Sequence, residues 1–249
     1  MPAKRILILS GTGEARQLAA MLMNAGHDVT SSLAGVTENP ILPEGKIRIG
    51  GFGGVNGLRN YLVAEKFDVV VDATHPFATI IARSAQEAAS GLILLRLERA
   101  SWNMQQGDNW IEVANVDAAV AALPTSAKVL LTIGRKEFAT FMLRFDLSGV
   151  VRMIESPPTN LPPAWTLMRA RPPFSVESEL ELFQAHNITH LVTKNAGGSE
   201  MESKLIAARR LKLPVIMITR PTKPRVPSFD SAHAIVGHIS MLGSKSASG

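Results

Sequence analysis

The stretch Arg5–Leu9, RILIL, running straight into Ser10-Gly11-Thr12-Gly13-Glu14-Ala15-Arg16, decides the fold. A short apolar run closed by glycines reads as a buried strand. Leu18, Met21, Leu22 and Ala25 then recur at helical spacing, and Gly26 stands where a helix of that phase must end. Strand, glycine turn and helix in that order open a doubly wound α/β domain. Gly11 and Gly13 supply the G-x-G start of a phosphate loop, with a helix N-terminus behind it to favour an anion. Arg16 stands where a third glycine would complete G-x-G-x-x-G, so a plain strand–helix turn reads these residues equally well.

Outward from there the alternation continues. Strands are predicted at Asp28–Leu33, Lys46–Ile49, Asp68–Ala73 and Leu92–Leu95, with helices over Val55–Lys66 and Phe77–Ala89, the latter entered through Pro76. The pattern breaks at the polar stretch Ser101–Asn109. It resumes with strands at Trp110–Val113, Lys128–Ile133, Val150–Ile154, His190–Thr193 and Pro214–Ile218. Helices are predicted over Arg135–Met142, over Val176–His186 with Val176, Leu180 and Phe183 on one face, and up to Leu211 behind a Ser199/Glu202 capping box. Asp230 is placed to cap a last helix to Met241, and GSKSASG (243–249) reads as a disordered tail. Strand–helix alternation throughout implies parallel sheets flanked by helices. The economical architecture is two doubly wound domains, 1–107 and 108–249.

Composition narrows the function. Of 249 residues, 46% are apolar and 19% charged, enough to bury a core. No apolar run approaches the roughly 18–20 residues of a membrane span, and the opening MPAKRILIL lacks a secretory pattern, so a cytoplasmic protein with no membrane partner is expected. There is no cysteine, which excludes disulfides, thiolate nucleophiles and cysteine-held metals. The net charge of +5 is uneven along the chain: residues 1–124 hold 10 Lys and Arg against 12 Asp and Glu, residues 125–249 hold 16 against 9. A basic half points to an anionic partner, and a polycarboxylated or phosphorylated small molecule fits it. Nucleic acid is disfavoured, because the cations are scattered and aromatics are only 5%.

Ligands of open α/β sheets bind where strands end. The second strand ends in Ser31-Ser32, with no carboxylate for a ribose 2′-hydroxyl; two hydroxyls suit a 2′-phosphate, hence NADP over NAD. Gly50-Gly51-Phe52-Gly53-Gly54 lets backbone approach a ligand. Thr74-His75-Pro76 follows the DVVVDA strand; His75 is an acid candidate, although a cap or packing role suits it better. In the basic half, Gly134-Arg135-Lys136 and Lys194-Asn195-Ala196-Gly197-Gly198 put cations at strand ends. Tyr61 is the one tyrosine and has Glu65 four residues on, so no Tyr-x-x-x-Lys pair exists; no metal motif or G-x-S-x-G elbow occurs. These residues leave three classes open: a reductase, another NADP-dependent reductase or epimerase of an acidic metabolite, and a nucleotide-binding module without turnover.

SGTGEAR (10–16), SLAGVTENP (32–40), IGGFGG (49–54), DATHPFA (72–78), LRLERASW (95–102), TIGRKEF (132–138), TKNAGG (193–198), KLIAAR (204–209) and ITRP (218–221) together resemble the precorrin-6A reductase family of cobalamin biosynthesis. The resemblance spans about Arg5 to Leu242. DATHPFA and TKN-x-GG carry most of it. Ser10 departs from the family's usual first glycine, and Ala196 stands where serine is common.

The resemblance implies two Rossmann-like domains with the active site in the cleft between them. It implies NADPH-dependent reduction of a double bond in a polycarboxylated tetrapyrrole, precorrin-6A with or without cobalt, to precorrin-6B. On this reading Gly11, Thr12, Gly13, Glu14, Ser31, Ser32, Gly51, Gly53, Thr74, His75 and Pro76 line the cofactor. Arg135, Lys136, Lys194 and Asn195 face the macrocycle. Lys194 is the first candidate proton donor and His75 the second, beside a solvent proton. No resident metal is implied.

Overall fold

The computed structural model describes residues 2–35, 40–135, 137–155 and 161–244. The chain runs through β1 (Arg5–Leu9), α1 (Gly13–Asn24), β2 (Asp28–Leu33), β3 (Lys46–Ile49), α2 (Gly54–Ala64), β4 (Val69–Asp72), α3 (Thr79–Ala88) and β5 (Ile93–Leu97). It continues through β6 (Trp110–Val113), α4 (Val116–Ala121), β7 (Lys128–Thr132), α5 (Phe138–Met142), β8 (Ser148–Met153) and β9 (Trp165–Arg169). Then come α6 (Val176–Ala185), β10 (His190–Lys194), a 3-10 turn (Ser199–Met201), α7 (Ser203–Arg210), β11 (Val215–Ile218), β12 (Ser228–Phe229) and α8 (Ala232–Ser244).

Two compact units result, Met1–Ala100 with Pro221–Gly249, and Ser101–Arg220. Unit 1 holds a six-stranded sheet in the order β3-β2-β1-β4-β5-β12, unit 2 one in the order β9-β8-β7-β10-β11-β6. Every pairing is parallel. The first five strands of each sheet follow the doubly wound order 3-2-1-4-5, the class that the alternation predicts. The sixth strand of each sheet is out of sequence: β12 pairs with β5 after the chain has left unit 2, and β6 pairs with β11.

That exchange corrects the division at 107/108. Helix α8 is not part of the second domain. Its Ala232, Ile235 and Ile239 pack with Ala15, Leu18, Ala19 and Leu22 of α1 against Ile6, Ile8 and Val69. The opposite face of the sheet buries Leu58 and Leu62 of α2 with Ala85 and Ala88 of α3 against Leu7, Leu9 and Val70. Unit 2 has its own core, from Leu130, Val150 and Leu191 to Phe183 and Leu205. The charge asymmetry dissolves with the boundary. Unit 1 carries 13 Lys and Arg against 10 Asp and Glu, and unit 2 carries 13 against 11.

Helix ends differ from expectation where side chains find other partners. Ser199 and Glu202 form no capping box: Ser199 opens the 3-10 turn, and α7 starts at Ser203. The Ser231 hydroxyl, not Asp230, accepts from the Ala234 amide at the start of α8, and Gly243 and Ser244 continue that helix. The remaining tail residues 245–249 lie outside the described residues. On α6 the most buried positions are Glu179, Leu182 and Phe183. Glu179 goes inside because Arg152 of β8 meets it with two hydrogen bonds, 2.8 and 3.0 Å, so the buried charge is paired. Among the described residues no helix is long and apolar enough to cross a membrane.

Candidate functional site

In unit 1 the strand order reverses between β1 and β4, where a crevice opens at the strand ends. Gly11 has φ +152, and a Cβ there would meet nothing within 4 Å, so the space above its backbone is open. Thr12 caps α1: its hydroxyl accepts from the Ala15 amide at 3.1 Å and donates to the Ala73 carbonyl at 3.1 Å, tying the two strand ends together. Thr74 is set by Asp72, whose Oδ1 accepts from the Thr74 hydroxyl at 2.6 Å and its amide at 3.2 Å. Asp72 Oδ2 accepts from Arg96 Nε at 3.0 Å, and Arg96 also donates to the Pro224 carbonyl. Both charges are almost fully buried, so the pair is a rigid post under Thr74.

Between these loops lies a shallow hollow, open to solvent and lined by Thr12, Glu14, Thr74, Pro76, Leu97, Glu98 and Arg99. Glu14 holds Arg99 through a fork of 2.7 and 2.9 Å. Burial alone would raise the Glu14 carboxyl; the hydrogen bonds from Arg99 and its charge overcome that and hold it below the usual range. Arg99 and Glu98 are pocket residues that strand-end reading missed, although both stand in the motif LRLERASW. Lys223 of the returning segment donates to Glu98 Oε1 at 3.1 Å and to the His75 carbonyl at 3.2 Å. His75 Nδ1 accepts from the Phe77 amide at 3.3 Å, the local cap that its position suggests. The helix behind it starts at Thr79, not Phe77, because residues 75–78 close a turn through Ala78 N and His75 O at 2.8 Å. Its N-terminus is therefore set back from Pro76.

At the ends of β2 and β3 the two serines part. Ser31 is fully buried between its neighbours Ile8 and Ile47, so its hydroxyl is out of a ligand's reach; this corrects its place in the cofactor lining. The Ser32 hydroxyl faces Arg48, which donates to it at 3.4 Å. Arg48 also donates to the carbonyls of Gly50 and Gly51 at 2.5 and 2.7 Å and stacks on the Phe52 ring at 3.9 Å. It thereby shapes the glycine loop, where Cβ atoms at Gly51 and Gly53 would meet only open space. Sequence reading missed Arg48, because a cation in an edge strand reads as a solvated face.

In unit 2 the reversal lies between β7 and β10. There Lys194 Nζ donates to Glu137 Oε1 at 2.5 Å, and Glu137 Oε2 accepts from the Gly134 amide at 2.9 Å. The carboxylate of Glu137 thus occupies the Gly134 amide at the end of β7, and α5 is only five residues long. Arg135 lies 4.0 Å from Glu155. Lys136 lies outside the described residues. Asn195 is spoken for: its side-chain oxygen accepts from the Trp102 amide and its NH2 donates to the Trp102 carbonyl, both at 2.9 Å. It is buried and clamps the segment after Ser101, which corrects its reading as a group facing substrate. Arg220, read only as loop charge, donates to the carbonyls of Asn195 and Ala196 at 2.9 and 3.0 Å and fixes the TKNAGG loop.

Known proteins share this fold. A precorrin-6A reductase of Rhodococcus erythropolis is 44% identical over 96% of this chain and 97% of its own length. One of Rhodobacter capsulatus is 43% identical over 96% and 97%. A cobalt-precorrin-6A reductase of Priestia megaterium is 30% identical over 87% and 90%. The solved structure of a CobK precorrin-6A reductase superposes with a TM-score of 0.91 at 42% identity, covering 96% of this chain and 97% of that one. Residues 5–239 match the family described as Precorrin-6x reductase CbiJ/CobK, and the chain belongs to that family of oxidoreductases.

Proposed function

We propose that this protein reduces a double bond of precorrin-6A with NADPH, giving precorrin-6B in cobalamin biosynthesis. The observation that carries the cofactor reading is the crevice of unit 1: open space over Gly11, Gly51 and Gly53, the N-terminus of α1 behind Thr12, and Arg99 on the pocket wall. Bound there, NADPH supplies a hydride to the conjugated C=N–C=C system of the macrocycle. Gly11, Gly13 and the first amides of α1 would cradle its pyrophosphate, and Thr74 and Pro76 would orient the nicotinamide. In unit 2 the Gly134 amide already donates to the Glu137 carboxylate, which favours unit 1 for the pyrophosphate.

Arg135 and Lys194 would read the acetate and propionate groups of the macrocycle. Reduction adds a proton as well as a hydride. Lys194 is the donor we favour over His75, since Glu137 holds its ammonium at one fixed position. The metal-free macrocycle is the proposed substrate. Relatives named for it are 40–44% identical, those named for the cobalt form 25–30%. A cytoplasmic location suits a chain without cysteine.

The test is anaerobic incubation of the purified protein with NADPH and precorrin-6A, following loss of dihydronicotinamide absorbance and a product heavier by two hydrogens. Net NADPH oxidation with an acidic metabolite but not with the macrocycle would support the general reductase class instead, and stereochemical inversion of such a metabolite without net NADPH oxidation the epimerase class. Binding of NADPH without turnover would leave a sensing module.

A further inference from the structure

We infer that Arg48 is the residue that makes the protein choose NADPH over NADH, by receiving the 2′-phosphate of the adenosine ribose. This rests on the NADPH reading and names the group responsible.

The argument starts from charge. Arg48 is half-buried at the carboxyl end of β3, and among the described residues no carboxylate pairs with it. A guanidinium in that state keeps an uncompensated positive charge. It is nevertheless held in place. Phe52 stacks beneath it at 3.9 Å, and Tyr61 lies 5.3 Å away. The Gly50 and Gly51 carbonyls fix its two terminal nitrogens. Together with the bond to Ser32, those bonds use three of its five N–H groups, so Nε and one hydrogen on the second terminal nitrogen remain for an incoming oxyanion. The entropy of ordering the side chain is already spent before a ligand arrives.

Position adds the second strand of the argument. Arg48 is the register partner of Ser32, so both side chains stand on the same face where β2 and β3 end. The end of the second strand is where a doubly wound domain meets the adenosine ribose, and a carboxylate there selects the 2′-hydroxyl. Here that place holds a hydroxyl and a cation. A phosphate dianion gains a charge-assisted, forked contact; a bare 2′-hydroxyl gains one neutral hydrogen bond.

The experiment compares wild type, Arg48→Gln and Arg48→Lys. Calorimetric titrations use 2′,5′-ADP and 5′-ADP, and kcat/KM is measured with NADPH and NADH. In Arg48→Gln, affinity for 2′,5′-ADP is expected to fall about 10- to 100-fold and affinity for 5′-ADP by no more than about threefold. The NADPH-to-NADH ratio should fall by a matching factor. Arg48→Lys keeps the charge but cannot bridge both carbonyls, and should retain most of the discrimination. Equal losses for both nucleotides in either variant would mean that Arg48 only shapes the loop, and the inference fails. So would an unchanged ratio in Arg48→Gln. A wild type that prefers NADH overturns the NADPH reading itself, a separate outcome visible before any variant is made.

Discussion

Glu137 joins the two strand ends of unit 2 by taking the Lys194 ammonium on one oxygen and the Gly134 amide on the other. The arrangement depends on a glycine: a Cβ at position 134 would lie 2.7 Å from Glu137 Oε2. It gives Lys194 a fixed place and a counter-charge, as a proton donor or carboxylate reader needs.

Lys194→Met is accordingly expected to raise the KM for the macrocycle about tenfold and to lower kcat about a hundredfold, the scale of a lost general acid. Glu137→Gln should move both in the same direction by less, because the ammonium remains but is no longer anchored. Steady-state kinetics with a direct NADPH binding measurement separates the roles. If kcat is untouched while KM rises, Lys194 only reads carboxylates. If NADPH affinity falls as far as substrate affinity, it belongs on the cofactor side.

Gly13 offers a test of the phosphate cradle that the fold itself tolerates. A Cβ there meets only the tip of Arg16 at 3.6 Å, ordinary contact, whereas Gly11 at φ +152 would be strained by any side chain. Gly13→Val should leave the melting temperature within a few degrees and weaken NADPH about tenfold or more, since the branched side chain fills space the pyrophosphate needs. A folded variant with unchanged NADPH affinity would remove this turn from the site.

The Asp72–Arg96 post predicts a different signature. Removing one member leaves the other charged and almost fully buried, which costs about 3–5 kcal/mol. Asp72→Ala should therefore lower the unfolding free energy by that order in urea denaturation, and should loosen Thr74 and weaken NADPH as well. A loss below about 1 kcal/mol would mean that water compensates Arg96 and that the post is not rigid.

Legibility in the sequence followed the range of the forces involved. RILIL and VVVD are uninterrupted apolar strands and announce themselves, as do Gly11 and Thr12, whose turn chemistry is local. The edge strand β9 (WTLMR) and the two-residue β12 have no such run and were invisible, and with β12 went the membership of α8. Ser31 and Ser32 look alike in a list of residues, but alternation within a sheet covered on both faces sends one of them inside. Arg48 and Arg99 acquire meaning only from Ser32 and Glu14, 16 and 85 residues away. Asn195 stands in a loop that reads as a ligand loop, yet it is consumed by backbone 93 residues distant.

The last prediction concerns pH. His27 is buried, its Nδ1 accepts from the Lys4 amide at 3.2 Å, and burial, reinforced by the Lys4 charge, pushes its pKa below the ordinary value. Between that lowered value and about 6.5 the unfolded chain binds a proton that the folded protein refuses. Stability therefore rises with pH across this interval: the contribution is complete above about 6.5 and is lost as pH falls through the folded value. His190, lowered by burial, acts in the same direction. Glu14 is held below its usual range, so its contribution disappears only at more acidic pH and does not overlap. Urea unfolding between about pH 7 and pH 5 should show a falling free energy. His27→Asn offers an amide oxygen to Lys4 without titrating and should flatten that fall. Equal slopes for wild type and variant would show that His27 takes up its proton as readily folded as unfolded, and that its burial has no electrostatic consequence.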